Sequence, residues 1–270
     1  MTDYINGIFG GFARAIIGHP FDTIKTKLQY NPSKYINTIN CLRMTIKEEG
    51  ILSLYKGLTT PLIFNGLIVG THFYVYDKYN KNNNIIFVGG MAGVCGSIFS
   101  NPIEYIRIKM QLSYKMDNGK NYKNSLECVK CIINNKGLLG LFHGQRITTL
   151  REFIGYSAFF SCYKNCPNLY LPTNSNIDPK NENLNKIIKG ILCGFSLWGS
   201  MYPFDVIKTH IHGQILEKKT LNEFQIAKNI YKNYGLRGFY KGFGITMIRA
   251  IPVNIGIVYT VDFYNQLIKN

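Results

Sequence analysis

Three times the chain spells nearly the same phrase: PFDTIKTK from Pro20, PIEYIRIK from Pro102 and PFDVIKTH from Pro203. Glycine pairs precede each proline at the same two distances: Gly7 and Gly11, Gly89 and Gly93, Gly190 and Gly194. A second phrase follows each of the first. It reads EEGILSLYKG to Gly57, NKGLLGLFHG to Gly144 and NYGLRGFYKG to Gly242. A repeat at this period must be read before any local element, because it dictates one structural unit used three times.

Within each unit a long apolar run leads into the first phrase. A polar-apolar segment with helical spacing lies between the phrases: Tyr35 to Lys47, Tyr122 to Asn134 and Leu221 to Tyr231. A second apolar run follows: Leu58 to Tyr76, Ile147 to Tyr163 and Phe243 to Val261. Each unit therefore reads as long helix, surface helix, long helix. Asp77 to Asn84 and Asn165 to Lys186 read as polar linkers between units. Several runs approach the 20 apolar residues needed to cross a bilayer. The expected fold is an all-α membrane protein of six transmembrane helices, in three pseudo-symmetric repeats of two. The repeats are 1–84, 85–180 and 181–270, making one domain. With an even helix count both termini share one side, and the short amphipathic helices lie on the other.

The basic excess, 31 Lys and Arg against 15 Asp and Glu, brackets the apolar spans. A nucleic-acid surface would gather it on one element, so no nucleic-acid partner is expected. The seven cysteines are odd in number and sit mostly in helical segments, a poor disulfide framework. Cys128 and Cys131 form a C-x-x-C with no second pair, so no metal site and no cofactor are expected. No cluster offers a nucleophile with an oriented base, which excludes an enzyme. The N-terminal MTDYINGIFGG has no basic region and resembles neither a signal peptide nor an Arg-rich presequence.

The repeated charges carry the functional expectation. Pro20, Pro102 and Pro203 are positioned to kink three spans. Asp22 and Lys25, Glu104 and Arg107, and Asp205 and Lys208 each share a helix face. Six charges in membrane helices are costly against lipid and tolerable around a common axis. There the acid of one helix pairs with the base of the next, closing a ring that plugs one mouth of a cavity. Gln29, Gln111 and His212, each nine residues past its proline (20, 102 and 203), are expected to brace it. The glycine pairs are expected to let helices pack closely.

With these motifs in triplicate, the chain is identified as a member of the mitochondrial carrier family. The family's P-x-[DE]-x-x-[KR]-x-[KR] is complete at Pro20 and Pro102, and complete at Pro203 except for His210 in the last basic place. Its [DE]-G-x-x-x-x-[FYW]-[KR]-G is full at Glu49 to Gly57 and looser in the other two units. The resemblance implies an alternating-access exchanger of the mitochondrial inner membrane, monomeric, with termini toward the intermembrane space. It makes the ring the matrix gate and implies cardiolipin near the ends of the matrix-side helices. It also implies a cytosolic network, [FY]-[DE]-x-x-[KR], on the even helices. Here that network is degenerate. Asp77, Lys164 and Asp262 hold its acidic slots, and the partner bases are lost. A matrix-closed resting form follows. The composition and the weak cytosolic network also resemble those of carriers of giant DNA viruses of amoebae, which would imply a host mitochondrion.

In the family, solute contacts lie about 13 residues before those acidic slots. Counting back reaches Phe64 beside Asn65, Arg151 beside Glu152, and Arg249. Trp198, the single tryptophan, sits two turns before Asp205 on one face and is able to stack a base. Two arginines and Trp198 suit an anionic nucleotide or deoxynucleotide, the leading expectation. The pair Arg151 and Glu152, with RAIPVN from Arg249, instead resembles carriers of amino acids, carnitine or S-adenosylmethionine.

Overall fold

The computed structural model describes residues 2–79, 84–112, 122–165, 179–214, 220–253 and 255–256, with side chains for all but 2–10 and 179–187. Among the described residues every regular element is helical. Six long or apolar helices are α1 (Thr2–Tyr30), α3 (Thr59–Tyr79), α4 (Ile85–Leu112), α6 (Gln145–Asn165), α7 (Pro179–Gly213) and α9 (Phe243–Val253). Three surface helices alternate with them: α2 (Thr38–Glu49), α5 (Ser125–Lys136) and α8 (Glu223–Gly238). By hydropathy and length alone, Ile51–Tyr79 and Ile85–Leu112 qualify as spans. The later part of the run expected to reach Val261 lies outside the described residues.

Two linker expectations need correction. Asp77 to Tyr79 continue α3, and α7 already begins at Pro179, inside the stretch expected to be loop. Proline suits a first helical position, where its missing N–H has no helical partner anyway, and the following polar residues tolerate helix. The first phrase is helical throughout in all three units. α1, α4 and α7 run on through Pro20, Pro102 and Pro203 for at least two turns.

Each surface helix starts on an asparagine that sequence periodicity overlooked. Asn37, Asn124 and Asn222 accept from the backbone N–H of Asn40, Glu127 and Gln225 at 2.8, 2.8 and 3.0 Å. Such a cap satisfies an amide that the helix itself leaves unpaired. It moves the starts two or three residues beyond the expected Tyr35, Tyr122 and Leu221. In each surface helix the helical backbone breaks at the first glycine of the second phrase, which ends α2 and α5 and kinks α8 before it runs on to Gly238. Gly50, Gly137 and Gly235 have φ of 79°, 68° and 62° with ψ near ±160–180°, a region open essentially to glycine.

The last glycine of the phrase lets each unit lock onto the next. Gly57, Gly144 and Gly242 have φ of 82°, 76° and 83°. A Cβ on Gly57 would sit 3.1 Å from Met110, one on Gly144 2.9 Å from His212, and one on Gly242 3.2 Å from Tyr202 of its own unit and 3.8 Å from Gln29 and Lys25 of α1. Unit one thus abuts α4, unit two abuts α7, and unit three returns to α1. The buried apolar clusters close in the same order. Ile147 of α6 packs with Tyr202 and Val206, and Ile245 of α9 packs with Ile24 and Leu28. The charged phrases are thereby brought around one axis.

The glycine pairs meet the close-packing expectation in the second unit. A Cβ on Gly89 would lie 2.8 Å from the Tyr156 carbonyl, and Gly93 backs onto the Glu152 carbonyl, so α4 and α6 pack backbone to backbone. Gly11, Gly190 and Gly194 face nothing within 4 Å among the described residues.

Candidate functional site

The six paired charges form a closed ring at the end that carries the surface helices. Lys25 Nζ lies 2.7 Å from Asp205, Lys208 Nζ 2.6 Å from Glu104, and Arg107 Nη1 3.5 Å from Asp22. Every bridge joins a different pair among α1, α4 and α7, in the order acid of one helix to base of the next. Lys25, Asp205 and Lys208 have side chains 10%, 4% and 3% exposed. At this depth an unpaired ion costs several kcal/mol, so the ring is cohesive only while complete.

One helical position explains the site's second layer. Phe64, Arg151 and Arg249 each stand seven residues past the phrase glycines at 57, 144 and 242, and are followed by Asn65, Glu152 and Ala250. Arg151 reaches Glu104 at 3.0 Å and Asp205 at 3.5 Å, and also contacts Glu152. Arg249 Nε lies 2.9 Å from Asp22 and donates to the Gly18 carbonyl at 3.3 Å. Both arginines were expected to face an open cavity. They are instead ion-paired to the ring, because its acids are the nearest anions and each retains lone pairs after one bridge. Every ring acid consequently takes two or more cations.

Trp198 also differs from expectation. Lys25 Nζ sits over its ring, 4.2 Å from the centroid. One face of the indole is thus occupied by a cation of the charged ring, a favourable cation–π contact.

The three braces divide. Gln29 donates to Asp205 at 3.2 Å and accepts from Thr209 at 2.8 Å, holding the ring directly. Gln111 accepts from Thr26 at 2.8 Å and donates to Thr23 at 3.2 Å, tying α4 to α1 beside the ring. His212 is 3.2 Å from the Asn101 amide oxygen, which accepts from Thr148 at 2.7 Å, so it ties α7 to α4 and α6. Neither Gln111 nor His212 is bonded to a ring ion, because threonines and Asn101 intervene. Thr26 and Thr209 share one slot six residues past their prolines, at 20 and 203, and that recurrence was the overlooked signal.

The residues two before each proline were overlooked too. Gly18, Ser100 and Met201 all meet the second layer. Ser100 Oγ donates to Glu152 at 3.5 Å, Arg151 approaches the Met201 sulfur at 3.8 Å, and a Cβ on Gly18 would come within 2.7 Å of the Arg249 guanidinium. At the opposite end Asp77 and Lys164 are exposed and not ion-paired to each other, while Asp262 lies outside the described residues. Phe64 is 41% exposed and Asn65 half-buried, both on α3.

A family model described as Mitochondrial carrier protein matches residues 1–85, 81–174 and 179–270. The chain is 30% identical to the Schizosaccharomyces pombe glutamate/glycine mitochondrial carrier ymc1, over 99% of this chain and 95% of that one. It is 30% identical to the Saccharomyces cerevisiae mitochondrial ornithine transporter 1, over 99% and 96%. It is 32% identical to mitochondrial substrate carrier family protein S of Dictyostelium discoideum, over 99% and 98%.

Proposed function

The chain belongs to the mitochondrial carrier family, and from that premise we propose that it exchanges an amino acid across the mitochondrial inner membrane. It is a transporter and not an enzyme. Relatives named for glutamate, glycine and ornithine favour an amino acid over the nucleotide that the sequence first suggested. The observation that carries the reading is the second layer. Arg151 and Arg249 offer guanidinium groups to a carboxylate, and Glu152, beside Arg151, offers a carboxylate to an ammonium. A free α-amino acid bears both groups on one carbon. Lys25 over one face of Trp198 weakens the stacking argument that supported a nucleotide.

The same contacts give a mechanism. The closed ring is the matrix gate, and the exposed Asp77 and Lys164 mark the open cytosolic mouth. A solute carboxylate that engages Arg249 competes with Asp22, and one that engages Arg151 competes with Glu104 and Asp205. Binding therefore withdraws a counter-charge from Asp22 where Arg249 is engaged, and from Glu104 and Asp205 where Arg151 is. The solute's preference for the loosened ring sets how far the equilibrium moves toward opening. The test is reconstitution into liposomes loaded with matched unlabelled solute. Labelled amino acids exchange, dATP and ATP do not, and Arg249→Ala abolishes exchange while the protein stays folded. Exchange of nucleotides without amino acids would overturn the reading.

A further inference from the structure

We infer that the carried amino acid has a neutral or acidic side chain, and that cationic side chains are excluded by the charge count of the second layer; this rests on the amino-acid reading above. The repeats place six side chains at that level: Phe64, Asn65, Arg151, Glu152, Arg249 and Ala250. Two are cations and one is an anion. Any amino acid needs a cation for its α-carboxylate and an anion for its α-ammonium. Arg249 and Glu152 meet those two needs once the solute takes the places of Asp22 and Arg151 on them.

A cationic side chain would require a second carboxylate. The ring acids just beneath are committed. Asp22 holds Arg107 and Arg249, Glu104 holds Arg151 and Lys208, and Asp205 holds Lys25, Lys208 and Arg151, all within 3.5 Å. A cationic side chain would have to displace a fixed guanidinium or ammonium from one of them. Its own charge would also stand beside Arg151 and Arg249, and Arg14 lies within electrostatic reach of Arg249. Like charges at contact range are repelled most strongly where water is scarce. An acidic side chain meets the opposite situation, because Arg151 is free to receive it once it leaves the ring. On α3, Phe64 and Asn65 supply no charge. That helix is the one of the three where an added carboxylate would meet no cation at these positions.

The experiment compares initial exchange rates of labelled glycine, glutamate, ornithine, arginine and dATP in liposomes, for wild type and for Asn65→Asp. Thermal stabilisation of the purified carrier by each solute is a second readout. Glycine and glutamate are expected to exchange at least tenfold faster than ornithine and arginine. Asn65→Asp is expected to raise the ornithine-to-glycine ratio about tenfold or more. Ornithine or arginine outrunning glycine in the wild type overturns the inference and leaves the amino-acid reading standing. Asn65→Asp leaving the ratio unchanged also overturns it. Exchange or stabilisation by dATP alone overturns the amino-acid reading itself. A protein that neither exchanges nor is stabilised by any of the five solutes refutes both.

Discussion

Replacing Asp205 by Asn should weaken the closed state more than any other single charge removal in the ring. Asp205 is the acid with the most partners: Lys25 at 2.7 Å, Lys208 at 3.4 Å, Arg151 at 3.5 Å and the Gln29 amide at 3.2 Å. Lys208 and Arg151 keep Glu104 as an anion. Lys25 is left with no carboxylate in contact, keeping the Trp198 and Tyr202 faces at 4.2 and 5.1 Å and the more distant charge of Asp22. Removing one partner of a buried ion pair costs about 3–5 kcal/mol, since the other charge stays buried without its counter-ion. At about 1.4 kcal/mol per decade that is a shift of roughly a hundred- to a few-thousand-fold away from the closed ring. Taken as lost stability it is about 6–20 °C in Tm, at ~2–4 °C per kcal/mol for a chain of this size. The assay is thermal unfolding of purified carrier for Asp205→Asn, Lys25→Gln and the double variant. The pair predicts that the double variant loses less than the two singles summed, by at least about 1 kcal/mol. A Tm within 2 °C of wild type for Asp205→Asn, or strictly additive losses, would refute the ring as a cohesive element.

Two glycine variants separate backbone strain from crowding. Gly50→Ala meets no atom within 4 Å and carries only the strain of φ 79°, about 1–3 kcal/mol. Gly144→Ala adds a Cβ 2.9 Å from His212 and is expected to lower Tm further; equal losses would disprove the interlocking of units two and three. Burial pushes the Cys41 thiol on α2 up to about 12, so at pH 8 in the native carrier it should resist a maleimide that labels it after unfolding. Rapid native labelling of Cys41, located by mass spectrometry, would contradict its packing beneath the surface helix. Burial lowers His143 from 6.5 to about 4. Its folded pKa is below the unfolded one, so its stabilisation is present above about pH 6.5 and is lost as pH falls toward 4. His143→Gln should flatten stability over that window and leave pH 7–8 unchanged; an unaltered acid limb would show that His143 is not buried neutral.

The sequence alone determined the architecture of the repeats and the order of the ring. Both follow from recurrence. Asp, Lys and Pro at fixed spacing in three apolar helices have few low-energy placements, and pairing around an axis is the one that keeps six ions out of lipid. The capping asparagines, the paired threonines and the residues two before each proline were equally repeated, but their meaning depends on what faces them. Only the tertiary structure decided that. Arg151 and Arg249 read as free cavity groups in the sequence because spacing gives depth, not partners. Folding brings them within 3.0 Å of Glu104 and Asp22 on other helices. Trp198 likewise acquired its cation from α1, far away in the chain. Periodicity fixes which way a side chain faces along its own helix. The counter-charge it finds is set by the approach of a different helix, and no local pattern encodes that distance.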